Sequence, residues 1–181
     1  MSAPAVFFDR DGTLMEEVYY CGDPAKVRVY AGVSAGLRRL REAGFRTFIV
    51  SNQSGIGRGL IGEAQYRAVE AELMAQIGEG LIDASYFCPD APGTPSTRRK
   101  PEPGMLFEAA AEFDVDLAAS YMIGDKAADV ECGRRAGVKT ILVLTGYGAE
   151  QDCAADYRVA DVVAAIGTVL EASERKINGH E

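Results

Sequence analysis

Ala5-Val6-Phe7-Phe8-Asp9-Arg10-Asp11-Gly12-Thr13 starts with four apolar residues and breaks into acid, base, acid, glycine and hydroxyl. A short apolar run that ends on a turn signal reads as a strand buried on both faces. The same pattern recurs outward along the chain. Phe45–Val50, Tyr121–Ile123 and Thr140–Leu144 read as strands, and Ala84–Phe87 as a shorter one. Between them, Val33–Ala43, Glu63–Ile77, Pro103–Phe113, Ala127–Ala136 and Asp161–Glu171 carry apolar residues at helical spacing. The first of these helices stops at Gly44, and Pro103 sits where a missing N–H does no harm.

Strands buried on both faces and separated by helices imply a parallel sheet covered on each side. The expected fold is α/β: a single Rossmann-like, three-layer α/β/α domain over residues 1–181 with a central parallel sheet. No stretch is long enough to form a large cap domain, so residues 15–30 and 89–100 are left to form a substrate rim. Ligands of such sheets bind outside the carboxyl ends of the strands. Those ends deliver Asp9-Arg10-Asp11, Ser51-Asn52-Gln53-Ser54, Arg99-Lys100 after a loop, and Gly124-Asp125-Lys126. At a strand end, the two-residue spacing of Asp9 and Asp11 points both carboxylates to one side. Two such acids repel unless a cation or a shared proton holds them. Mg²⁺ suits the place, because it takes oxygen ligands, keeps waters and binds phosphate.

Composition narrows the chemistry. The net charge of -8 argues against a nucleic-acid partner, although local cations and a metal still allow an anionic substrate. The single histidine, His180, rules out a Ser-His-Asp triad and HExxH zinc chemistry on a rigid scaffold. Four scattered cysteines with no CxxC pair read as free thiols. No apolar run approaches the ~20 residues of a membrane span, and the N-terminus lacks a secretory pattern. A cytoplasmic monomer without a membrane partner is expected.

Asp9-Arg10-Asp11-Gly12-Thr13 resembles the DxDGT signature of haloacid-dehalogenase (HAD) superfamily phosphatases, and Ser51, Lys100 and Gly124-Asp125 resemble that superfamily's next three motifs, in order. The segments from Ser51 to Gly59, from Arg99 to Met105 and from Gly124 to Lys126 resemble the cap-less branch that removes the 7-phosphate of D-glycero-D-manno-heptose 1,7-bisphosphate, a precursor step for lipopolysaccharide core. Histidinol-phosphate phosphatases are a near relative and the alternative within the class. The resemblance implies Asp9 as nucleophile, Asp11 as general acid and base, and Ser51 and Lys100 as stabilisers of the transferring phosphoryl group. It implies Mg²⁺ on the Asp9 carboxylate, the Asp11 backbone carbonyl and Asp125, with Asp129 holding a metal-bound water. It also implies sugar-phosphate contacts from Glu17, Val18, Tyr19, Tyr20, Asn52, Gln53, Ser54, Arg99 and Lys126.

One departure stands out. Many relatives hold a structural zinc before the Arg-Lys pair through Cys-x-His and Cys-x-Cys. Here Cys88 is kept, Asp90 takes the histidine position, and no cysteine lies between Pro89 and Lys100. One thiolate and one carboxylate make a poor zinc site, so none is expected. Plainer readings compete residue by residue. Asp9 to Gly12 suits a solvated turn, Ser51-Asn52 suits a helix cap, and Arg98 to Lys100 suits a surface run. Residues 55–59 match neither GxGxxG nor a P-loop. A phospho-aspartate signalling receiver is the alternative of another class; Asp11 speaks against it by supplying the proton transfer that a switch lacks.

Overall fold

The computed structural model describes residues 2–178, so His180 lies outside the described part. Six strands form one sheet in which every pairing is parallel: β1 (Ala5–Phe8), β2 (Arg46–Asn52), β3 (Ala84–Cys88), β4 (Tyr121–Gly124), β5 (Lys139–Val143) and β6 (Tyr157–Val159). Their order is β3-β2-β1-β4-β5-β6. The helices are α1 (Val33–Glu42), α2 (Ser54–Gly57), α3 (Glu63–Ile77), α4 (Gly104–Phe113), α5 (Ala127–Ala136) and α6 (Val162–Asn178).

Period-two alternation along β1 shows why both faces must be covered. Val6 and Phe8 join the core with Leu37 and Leu40 of α1, Val69 and Leu73 of α3, and Ile166 and Val169 of α6. Ala5 and Phe7 join the opposite core with Met105 and Ala109 of α4 and Cys132 and Ala136 of α5. The strand order reverses at β1 and β4: the chain winds outward from β1 through β2 to β3, then returns to β4 and winds the other way. The carboxyl ends of β1 and β4 border the crevice where such folds bind ligands.

The main elements fall where the sequence places them, with four differences. The closing helix runs on to Asn178, and Pro103 caps the fourth helix from outside it. The sequence does not announce β6: Tyr157-Arg158-Val159 is a three-residue edge strand with no apolar run. The residue before the short helix α2 is Gln53, so Ser51 and Asn52 belong to β2 and do not cap it. Among the described residues no helix is long and apolar enough to cross a membrane.

Candidate active site

The β1 ladder carries on one residue past the strand, because the Asp9 amide donates to the Ile123 carbonyl at 2.9 Å. That bond sets Asp9 beside Gly124-Asp125 at the end of β4. The chain then turns at Gly12, whose φ of 80° suits a residue without a side chain. A Cβ on Gly12 or on Gly146 would run into the Asp125 carboxylate, so both glycines make room for that acid.

Lys100 reaches the same point from the loop after β3. Asn52 clamps its backbone on both sides: the Lys100 amide donates to Asn52 Oδ1 at 2.9 Å, and Asn52 Nδ2 donates to the Lys100 carbonyl at 3.0 Å. The buried Lys100 Nζ then donates to Asp9 Oδ1 at 2.8 Å, to Asp129 Oδ1 at 2.6 Å and to the Val50 carbonyl at 2.7 Å. Asp129 Oδ2 accepts from the Lys126 amide at 3.0 Å, so both oxygens of Asp129 are engaged in holding protein groups.

Three buried carboxylates thus face one buried ammonium. Asp9, Asp125 and Asp129 each offer an oxygen within 4.8 Å of the others. Burial pushes Asp9 up, but Lys100 and Lys126 outweigh it and hold its carboxyl below the usual range. Burial together with Asp9 and Asp129 pushes Asp125 up to about 8. Burial and Asp9 push Asp129 up to about 6, against the pull of Lys100. Burial works against the charged form of Lys100, yet Asp129 and Asp9 keep it charged well above its ordinary value. Asp125 is therefore the acid of the three that most resists ionisation while no cation is bound. One of its oxygens accepts from the Tyr147 amide at 2.9 Å, while Oδ1 is buried with no hydrogen-bond partner. A buried carboxylate oxygen without a donor is costly, and a cation bound there would satisfy it.

Asp11 sits at the mouth of this pocket. Its carboxylate accepts from Arg10 and from Gln53 Nε2 at 2.9 Å, and Gln53 also donates to Ser51 Oγ at 2.6 Å. A cavity of about 160 Å³ opens beyond it. Of the residues expected to touch substrate, Glu17, Val18, Tyr19, Tyr20, Asn52, Gln53, Ser54 and Lys126 line that cavity, with Asp11 at its floor. Tyr19 is 76 % exposed and meets Tyr20 edge-on at 4.3 Å between ring centroids, so both stand on the rim. Lys126 Nζ lies 3.7 Å from a Glu17 oxygen. Arg99 is not on the cavity wall; its guanidinium donates to the Asp90 carbonyl at 2.9 Å.

Besides Cys21 on the cavity wall, two residues of the site went unread in the sequence. Tyr147 lines the cavity, with Lys126 Nζ 4.9 Å from its ring centre. It follows β5, and extending the strand-end rule to that strand would have found it. The other is Arg10, between the two acids. At the end of β3, where the loop begins, Cys88 is buried, its thiol pushed up chiefly by burial. Its sulfur lies 3.3 Å from Asp90 Oδ2 and 3.5 Å from Ser96 Oγ, and Ser96 Oγ also accepts from the Arg98 and Arg99 amides. Hydrogen bonds centred on Ser96 close this loop.

Comparison with known proteins adds to this geometry. A family profile described as HAD-hydrolase-like matches residues 97–169. The chain is 40 % identical over 161 residues to a D-glycero-D-manno-heptose-1,7-bisphosphate 7-phosphatase of Thermosynechococcus vestitus, covering 82 % of each chain. It is 39 % identical over 180 residues to D-glycero-beta-D-manno-heptose-1,7-bisphosphate 7-phosphatase of Yersinia pestis, covering 91 % of this chain and 96 % of that one. The crystal structure of a D,D-heptose 1,7-bisphosphate phosphatase from B. bronchiseptica, complexed with magnesium and phosphate, superimposes with a TM-score of 0.84 at 29 % identity, covering 93 % of this chain and 99 % of that one.

Proposed function

The chain belongs to the HAD-like hydrolase family, with heptose-bisphosphate phosphatases among its relatives, and on that premise we propose that it removes the C7 phosphate of D-glycero-D-manno-heptose 1,7-bisphosphate in a Mg²⁺-dependent reaction. The observation that carries the reading is the overcharged acid group at the ends of β1 and β4, with Asp9 held ionised by Lys100 and one Asp125 oxygen left without a donor.

In this mechanism Asp9 attacks phosphorus in line. The bond from phosphorus to the sugar oxygen breaks, and Asp11 delivers a proton to that oxygen. Water then attacks the aspartyl-phosphate, giving its proton back to Asp11 and freeing Asp9. Lys100 holds the attacking oxygen of Asp9 and balances charge on the phosphoryl group, and the Ser51 hydroxyl takes a phosphoryl oxygen. The Asp9 and Asp125 carboxylates and the Asp11 carbonyl would hold Mg²⁺, which supplies positive charge beside the phosphoryl oxygens.

The cavity of about 160 Å³ is smaller than the roughly 300–1,000 Å³ of enclosed small-molecule sites. A volume of that size suits one end of a sugar phosphate, and Tyr19, Tyr20 and Tyr147 on its lining are placed to meet the rest of the sugar. Lys126 faces that region and stays charged: burial works against it, but Asp9, Asp125 and Glu17 outweigh the loss. The test is phosphate release from heptose 1,7-bisphosphate, histidinol phosphate and other sugar phosphates, with and without Mg²⁺. The highest kcat/KM is expected for the bisphosphate and only with Mg²⁺. A higher value for histidinol phosphate would overturn the substrate.

The charge surplus has a second measurable consequence. Burial with Asp9 and Asp129 pushes Asp125 from its ordinary 3.8 up to about 8, and burial with Asp9 pushes Asp129 up to about 6. Between roughly pH 4 and pH 8 the metal-free folded chain therefore binds more protons than the unfolded one, and its stability falls as pH rises. The lowered Asp9 acts only below that window. Thermal melts of the metal-free protein are expected to show Tm falling across this range, with the Tm gain from Mg²⁺ growing as pH rises. A metal-free Tm that is flat or rises would contradict the surplus.

A further inference from the structure

Arg10 is fully buried, although burial of a guanidinium is costly without partners. Its partners form a chain that runs away from the reacting centre. Nε donates to Asp11 Oδ2 at 3.0 Å and Nη2 to Asp11 Oδ1 at 3.2 Å. Nη2 also donates to Gln53 Oε1 at 3.2 Å. On the far side, Nη1 lies 3.5 Å from Glu70 Oε2 of α3, and the other Glu70 oxygen accepts from Ser85 of β3. The Tyr66 ring of α3 packs on the guanidinium, 5.3 Å from centroid to carbon.

Such a planar fork grips both oxygens of a carboxylate at once, which fixes rotation as well as position. Gln53 takes a further lone pair on Asp11 Oδ2. A carboxylate offers about four acceptor positions. Arg10 and Gln53 fill both on Oδ2 and one on Oδ1, which leaves the remaining position on Oδ1. We infer that Arg10, anchored on Glu70, is a positioning residue that fixes the Asp11 carboxylate so that Oδ1 carries the transferred proton. This rests on the proposed role of Asp11 as general acid. In the first step the phosphorus–oxygen bond to the sugar breaks, its electron pair stays on the sugar oxygen, and the Asp11 Oδ1 proton joins it. Arg10 and Glu70 keep their protonation states throughout.

The leaving group separates positioning from support of the fold. A sugar alkoxide needs the proton as it departs, whereas a dinitrophenolate leaves without one. First-turnover rates, measured by rapid quench on a primary sugar phosphate and on dinitrophenyl phosphate, read the difference. Arg10→Lys is expected to slow the sugar phosphate by about 10–100-fold and Glu70→Gln by about 3–10-fold, while dinitrophenyl phosphate changes by less than about threefold. Glu70 is only partly buried, so its variant remains informative if the Arg10 variant does not fold. Equal slowing on both substrates, or no slowing on the sugar phosphate, in Glu70→Gln overturns the inference. Asp11→Asn is the control. If it slows both substrates alike, the acid role of Asp11 falls first; if it discriminates and the Arg10 and Glu70 variants do not, only the positioning role falls.

Discussion

Asp9→Asn is expected to lower phosphate release by roughly 10⁴–10⁶-fold while the protein stays folded. The amide is nearly isosteric with the carboxylate and can still accept from Lys100 Nζ, which keeps Asp129 and the Val50 carbonyl as partners. What is lost is the negative, nucleophilic oxygen. The same change loses an acid that the fold holds below its usual range but also relieves its repulsion of Asp125 and Asp129, so the two effects oppose and the metal-free Tm at neutral pH is expected to move by only a few degrees. A phosphate assay and a melt on the same sample check both parts. Activity within about tenfold of the parent would place the nucleophile elsewhere.

Lys100→Met is expected to damage both activity and stability. It takes a charged donor from Asp9, Asp129 and the Val50 carbonyl at once, in a place nearly closed to water. Breaking a buried ion pair by removing one partner costs about 3–5 kcal/mol, because the other charge is left uncompensated. For a domain of this size that is a fall in Tm of roughly 6–20 °C at neutral pH. Loss of the transition-state charge it supplies should lower kcat by at least about 10²–10³-fold. Without the ammonium the carboxylates gain protons more readily in the folded chain, so the stability loss should shrink as pH falls. Melts of parent and variant across pH read this directly. An unchanged Tm at neutral pH would mean that the acids are not held by Lys100.

The contrast among these residues shows what the sequence could reveal. Asp9, Ser51 and Asp125 were legible because each follows or ends a run of buried apolar residues, and a parallel sheet puts all such ends on one edge. Lys100 was different. It lies 91 residues from Asp9 in the chain and reaches it through an irregular loop, which no periodicity encodes. The strand-end rule brought it only to the right edge, after a loop, and likeness to known motifs gave it its role.

The unread parts depend on distant partners. Arg10 looks like an ordinary charge between two acids, and its burial is set by Tyr66 and Glu70, more than fifty residues on in α3. β6 escaped because Arg158 breaks an already short edge strand. Arg99 follows the expected motif, yet the side chain is spent on the Asp90 carbonyl and stands off the cavity wall. Side-chain direction of that kind is decided by the loop's own hydrogen bonds around Ser96.

The most direct test of the covalent route is to quench the enzyme with acid during its first turnover and weigh its peptides. A phosphoryl group on the peptide that contains Asp9, absent from the Asp9→Asn variant, is the expected result. Phosphate formed at the parent rate with no phosphoryl adduct at any time point would mean that water attacks the substrate directly, and would contradict the mechanism.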